Sequence, residues 1–189
     1  MLLKQVLRYI KGTSSYNLVF KKSNNGLQLM GYSDADWASS VDRRSTTGYC
    51  FSLTDSGPAV SWKSRKQPTV ALSSCESEFM ALAATAQEAV YLNQLLIDLT
   101  QKSHEPVFIQ GDNQGAIAMV RNPIKHDRSK HIDVKYNFVR DYVMKNKINI
   151  SYISTDKNIA DIMTKPCPKM KFENFGKYLF GIKSRSFAT

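Results

Sequence analysis

SSCESEFMALAATAQEAVYLNQLLIDL, residues 73–99, is the stretch whose reading fixes the fold class. Ser73-Ser74-Cys75-Glu76 has the form of a capping box, with an acid at its fourth place, so a helix starts here. Phe79, Leu82, Ala86, Ala89, Val90 and Ile97 fall on roughly one side of it, out to about residue 99. Before this helix the pattern is that of strands. Residues 16–21 alternate, Asn24-Asn25-Gly26 is a hairpin signal, and 27–33 is the return strand. Strands follow at 47–53 and 59–63, joined by the turn Thr54-Asp55-Ser56-Gly57. After the helix come a strand at 107–110, a short helix at 114–120, and a second long helix marked by Ile132, Tyr136, Val139 and Val143. A strand at 148–153, a short helical stretch at 158–165 and a tail helix at 168–180 complete the order. An amphipathic helix at 2–11, with Leu3, Val6, Leu7 and Ile10 in helical register, precedes everything. Two late strands reached through helices require a mixed sheet with helical crossovers, hence an α/β domain.

The composition narrows the partners. The chain has 189 residues, with 26 basic and 16 acidic side chains for a formal charge of +10. That excess points to a polyanion, nucleic acid first. At 42% hydrophobic the chain is expected to fold. It has no apolar run of membrane-spanning length, so no membrane partner is expected. Its first residues do not read as a signal peptide, because Lys4 and Arg8 break the apolar run. Cys50, Cys75 and Cys167 form no CxxC pair, which argues against a disulfide scaffold or a cysteine zinc site.

Four carboxylates sit where a mixed sheet brings distant segments together. Asp34 follows the strand at 27–33, Glu78 lies in the first turns of the long helix, Asp112 follows the strand at 107–110, and Asp161 lies in the short helix after the last strand. Carboxylates gathered in that way repel one another, so they hold hard divalent cations or carry raised pKa values. A pair of such ions can activate a water and stabilise a leaving oxygen in phosphodiester cleavage.

GYSDADWASS (31–40), RRSTTGYCFSL (43–53), SWKSRKQPTVALSSCESEFMAL (61–82), GDNQGAIAM (111–119), NPIKHDRSKHIDVKYNFVRD (122–141) and NIADIMTKP (158–166) closely resemble the ribonuclease H domain of copia-type LTR retrotransposon Pol polyproteins. The resemblance implies a ribonuclease H-like fold, a mixed five-stranded sheet flanked by helices. It also implies an endonuclease that hydrolyses the RNA strand of RNA–DNA hybrids with two Mg²⁺ ions, Mn²⁺ being a substitute. Carried over, its catalytic and metal-binding set is Asp34, Glu78, Asp112 and Asp161. It implies that residues 1–24 connect to a reverse transcriptase portion of the same polyprotein, that 25–166 are the ribonuclease H domain, and that 167–189 are a partly helical tail. The implied location is the cytoplasm, inside the element's virus-like particle, or the nucleus.

Rivals to the four carboxylates have other readings. Asp36 shares a strand face with Asp34 and is expected beside the metal ligands. Glu76 and Glu78 point about 200° apart on a helix, and Glu76 is the better cap. Asp156 reads as a turn residue. For nucleic-acid contact the expectations are Arg43, Arg44, Ser45 and Thr46 in one loop, Lys63 and Lys66 at a strand end, and Asn113 and Gln114 facing ribose hydroxyls. The basic run with Lys125, Arg128, Lys130 and His131 is expected to bind phosphate. Trp37 and Trp62 are expected in the core. One departure from many ribonucleases H stands out. The loop at 154–160 has no histidine, which leaves His131 and Thr155 as candidates for its role in turnover. Two other classes compete. One is a non-catalytic module binding hybrid or polymerase. The other is an integrase- or transposase-type nuclease, whose usual carboxylate order differs from the one here.

Overall fold

A computed structural model describes residues 2–24, 26–55, 57–121 and 130–181. Its elements are α1 (Leu2–Thr13), β1 (Met30–Asp36), β2 (Thr46–Ser52), β3 (Ala59–Lys66), α2 (Ser74–Thr100), β4 (Val107–Gly111), α3 (Gln114–Arg121), α4 (Lys130–Met144), β5 (Ile148–Tyr152), α5 (Asp161–Thr164) and α6 (Lys169–Phe180). One turn of 3₁₀ helix, Thr155–Lys157, precedes α5. The strands make a single mixed sheet in the order β3-β2-β1-β4-β5. The first three form an antiparallel meander, and β4 and β5 run parallel to β1. This is the α/β, five-stranded arrangement expected from the sequence.

Period-two alternation divides the side chains between two cores. On one face Tyr49, Phe51, Val107, Ile109, Ile148 and Ile150 pack under Phe79, Leu82, Ala86 and Ala89 of α2, joined by residues of α3 and α4. On the other, Tyr32 and Cys50 meet Ile159, Ala160 and Phe175. Residues 169–180, read from sequence as part of a tail, therefore help cover the sheet. Their helix is fixed by the Tyr178 hydroxyl against Ser52 Oγ and by an edge-on Tyr32–Tyr178 ring contact at 5.5 Å.

The expected strand at 16–21 does not form. A hairpin with 27–33 would need a free edge on β1, and β2 and β4 occupy both. The segment instead runs beside α6, where the Val19 N–H donates to the Phe180 carbonyl and the Tyr16 and Phe180 rings meet edge-on. Of the expected turn, Asn25 lies outside the described residues. The apolar stripe of α1 is largely in solvent, with Leu3, Val6, Leu7 and Ile10 all more than half exposed.

Asp34 is also displaced from its expected place. It lies within β1 rather than after it, opposite Gly48 of β2. That glycine decides how closely α5 can approach. A Cβ there would stand 2.6 Å from Thr164 Cγ2, 2.8 Å from Met163 Cβ and 3.0 Å from the Ala160 carbonyl oxygen. Replacing Gly48 with Ala should push α5 off the sheet and destabilise the domain by about 1–3 kcal/mol, the usual cost of overpacking. Denaturant unfolding measures this, and a wild-type midpoint would show that α5 is not seated as described.

Candidate active site

The parallel pairing of β1 and β4 sets the first two carboxylates side by side. Ser33 is opposite Gly111, so Asp34 and Asp112 are each one residue further on. The third comes from the start of α2. Ser73 caps that helix, its hydroxyl accepting the Glu76 N–H at 3.1 Å. Glu76 turns back, and its carboxylate accepts the Leu72 N–H at 2.9 Å. This is the capping role expected for it, and it leaves Glu78 facing the sheet. One carboxylate oxygen each from Asp34, Glu78 and Asp112 lies within 4.8 Å of the other two.

Asp161 stands outside that group. It is the first residue of α5 and almost wholly buried, at 1% exposure. Its Oδ1 is 2.6 Å from Lys165 Nζ and its Oδ2 is 2.7 Å from Lys171 Nζ. It nonetheless acts on Asp34 electrostatically. Thr164 connects the two, its hydroxyl donating to Asp34 Oδ2 while lying 3.0 Å from the Asp161 carbonyl oxygen. The loop entering α5 is anchored by Asn158, which is fully buried. Its amide donates to the Ser33 carbonyl at 2.9 Å, and its Oδ1 accepts the Ala160 N–H at 3.2 Å.

Burial and crowding set the protonation of the group. Burial lifts the Asp34 carboxyl to about 6; the Thr164 hydrogen bond opposes the rise, and repulsion from Asp112 and Asp161 adds to it. Burial pushes Glu78 up to about 9, reinforced by Asp34 and Asp112 and opposed by a hydrogen bond from the Ala35 backbone. The donor set is all hard oxygen, half to fully desolvated and mutually repelling. A hard divalent cation fits it, since its charge would offset the mutual repulsion and favour the ionised carboxylates that burial disfavours.

The other expected residues have varied surroundings. Asp36 ends β1 and acts on Lys165 through space, close to the group but not in it. Asp156 is exposed in the 3₁₀ turn, as a turn residue would be. Arg44 and Lys66 both pair with Asp42, at 2.8 and 3.1 Å, so a phosphate would have to compete for them. Arg43 is exposed, with a left-handed φ of 58°. Thr46 is half-buried at the head of β2. Ser45 departs from expectation: it is fully buried and its hydroxyl accepts the Ala38 N–H, which holds the loop rather than facing a ligand. Asn113 caps α3, its Oδ1 accepting the Ala116 N–H at 2.9 Å, while Gln114 beside it is exposed. Lys63 lies over the Tyr49 ring. Together with Arg65, Lys66 and Lys135 it lines a groove along β3 whose wall includes Gln67. The Gln67 amide in turn donates to the Ser77 carbonyl, one residue from Glu78. Thr155 is exposed. Lys125 and Arg128 lie outside the described residues, as do the side chains of Lys130 and His131.

Both tryptophans correct the sequence reading. Trp37 is 47% exposed, in the turn just after Asp36, with its Nε1–H donating to the Ala71 carbonyl. Trp62 is 60% exposed on the edge strand β3. Sequence reasoning also missed Gly48, Gln67, Asn158, Thr164, Lys165 and Lys171 as builders of the site. The blocks 43–53, 61–82 and 158–166 contain all but Lys171, but nothing in their spacing distinguishes a structural partner from a bystander.

The five-stranded sheet with its crossover helices is the ribonuclease H fold. A ribonuclease H1 isolated from compost superposes with a TM-score of 0.53 at 15% identity, covering 72% of this chain and 92% of that one. The N-terminal ribonuclease H domain of Rv2228c from Mycobacterium tuberculosis gives 0.53 at 12% identity, covering 80% and 97%. The compost enzyme has also been solved with an RNA/DNA hybrid, again at a TM-score of 0.53. The chain matches no protein-family model. By sequence it is 41% identical over 183 residues to the retrovirus-related Pol polyprotein from transposon RE2 of Arabidopsis thaliana, and 42% identical over 182 residues to that from transposon TNT 1-94 of Nicotiana tabacum. Each match takes in 96% of this chain, which spans only 12% and 13% of those relatives. Its sequence relatives are thus copia-type retrotransposon Pol polyproteins, and its structural neighbours are ribonuclease H domains.

The raised carboxyls make a prediction for the metal-free protein. Their folded pKa values exceed the ordinary 3.8 and 4.5, so between about pH 4 and 9 the folded chain binds more protons than the unfolded one. Stability contributed by these groups therefore falls as pH rises through that window. In chelator, melting temperature is expected to drop from pH 5 to pH 9, and Glu78→Gln should flatten the slope. An equal slope in wild type and variant would contradict the assignment.

Proposed function

We propose that the chain is a metal-dependent endonuclease that hydrolyses the RNA strand of RNA–DNA hybrids during reverse transcription of a retrotransposon. The observation that carries this reading is the convergence of Asp34, Glu78 and Asp112 within 4.8 Å on a ribonuclease H fold. Asp34, Glu78 and Asp112 would hold one Mg²⁺, and Asp34 with Asp161 a second; Mn²⁺ suits the same oxygens. Bound there, the ions supply Lewis acidity toward a water and charge neutralisation at the scissile phosphate.

The chain's own residues prepare and orient this chemistry. The Thr164 hydroxyl fixes the Asp34 carboxylate from behind, and the Ala35 N–H fixes Glu78 from the same strand. Gln67 ties the β3 groove to the start of α2, so basic side chains stand at a set distance from the carboxylates. Arg43, Lys63, Arg65, Lys66 and Lys135 would draw the hybrid's phosphates along that groove, which reads backbone geometry and not base edges. The exposed Trp37, pinned through its indole nitrogen, stands at the end of the strand that carries Asp34. Its partners would be the hybrid and the polymerase portion of the same polyprotein, in the cytoplasm within the element's particle or in the nucleus.

Incubation with a labelled hybrid and Mg²⁺ tests the proposal. The expected product is RNA fragments from the hybrid, lost on chelation and abolished by Asp34→Asn or Asp112→Asn, with hybrid binding that weakens as salt rises. Cleavage that persists in both variants would overturn the site. Salt-sensitive binding with no Mg²⁺-dependent cleavage would make the chain a binding module instead.

A further inference from the structure

The two halves of the carboxylate site are neutralised differently. Asp34, Glu78 and Asp112 lie together with no ion pair within 4.0 Å to any lysine or arginine among the described residues, whereas Asp161 has an ammonium group on each oxygen. Lys165 reaches Oδ1 from one turn further along. That contact is an ion pair by distance, but Oδ1 receives no hydrogen bond of ordinary geometry. Lys171 reaches Oδ2 at 2.7 Å from a different helix, α6. Its ammonium also lies 5.4 Å from the centre of the Phe175 ring, and Phe175 is buried. The helix that presents it is held to the sheet through Tyr178, Tyr32 and Ser52. The ammonium is thus delivered by a fixed element and not by a wandering surface side chain.

We propose that Lys171 is a built-in counter-ion that competes with a divalent cation for Asp161. Resting on the two-cation reading above, this makes the two positions unequal. The trio has only the through-space charge of Lys165 near it, with no ammonium in contact, while an ion at Asp161 must displace an ammonium already there. Lys171 is accordingly a positioning residue that sets the affinity of the second position.

Mn²⁺ titration of the chelator-stripped full chain, read by the electron paramagnetic resonance of free Mn²⁺, tests this without any activity measurement. Wild type should show a tighter and a weaker class of site. Lys171→Met and Lys171→Gln should tighten the weaker class by about tenfold, the scale of one charge-assisted hydrogen bond. Lys171→Arg, which keeps the charge, should stay near wild type. Circular dichroism in chelator identifies any variant that fails to fold, and the Gln-against-Arg comparison then carries the decision. An unchanged or weakened second class in the neutral variants overturns the proposal. If Asp34→Asn instead leaves the tighter class intact, the two-cation reading itself is at fault.

Discussion

Asp34, Glu78 and Asp112 stand within 4.8 Å of one another against their own repulsion, and the free energy that holds them there comes from elsewhere in the fold. Part comes from sheet pairing, since the β1–β4 register leaves Asp34 and Asp112 adjacent wherever that ladder forms. Part comes from the apolar face of α2, whose Phe79 and Leu82 bury beside Glu78 and so fix its orientation. The carboxylates contribute nothing favourable of their own without a cation. They are tolerated because larger burial terms on both sides of the sheet outweigh them.

The second core has a different task. Tyr32, Cys50, Ile159 and Phe175 bring α5 and α6 onto the face of the sheet that Asp34 shares with Tyr32. Gly48 leaves the space, Asn158 ties the entering loop to β1, and Thr164 then reaches Asp34. The same packing surrounds Asp161 with lysines. The carboxylates thus meet at the end of the sheet where the two cores adjoin, Glu78 coming from the α2 side and Asp161 from the α5 side.

Much of this was legible in the sequence. The capping box at Ser73 placed the start of α2 and separated Glu76 from Glu78 by their angle around a helix. The strand-like segments at 27–33, 47–53, 59–63, 107–110 and 148–153 marked all five strands of the sheet, the first of them three residues early. The strand at 16–21 failed for a reason no local pattern contains, that β1 had no edge left to offer. Ser45 and Asn113 have compositions suited to ligand contact, yet their hydroxyl and amide serve the backbone, a competition decided by chain geometry. The tryptophans were misplaced because average burial says nothing about a turn or an edge strand. Lys171 was invisible since its partner lies on another helix, and only the docking of α6 brings the two together.

The bond from Asn158 to the Ser33 carbonyl joins positions 125 residues apart. A nascent chain emerging from the ribosome can complete its antiparallel meander early, and later the β1–β4 pairing, long before that anchor exists. The seat of Asp161 closes only when the last fifth of the sequence has arrived. The set of four carboxylates is thereby one of the last features of the fold to assemble, and a partial chain holds at most the trio.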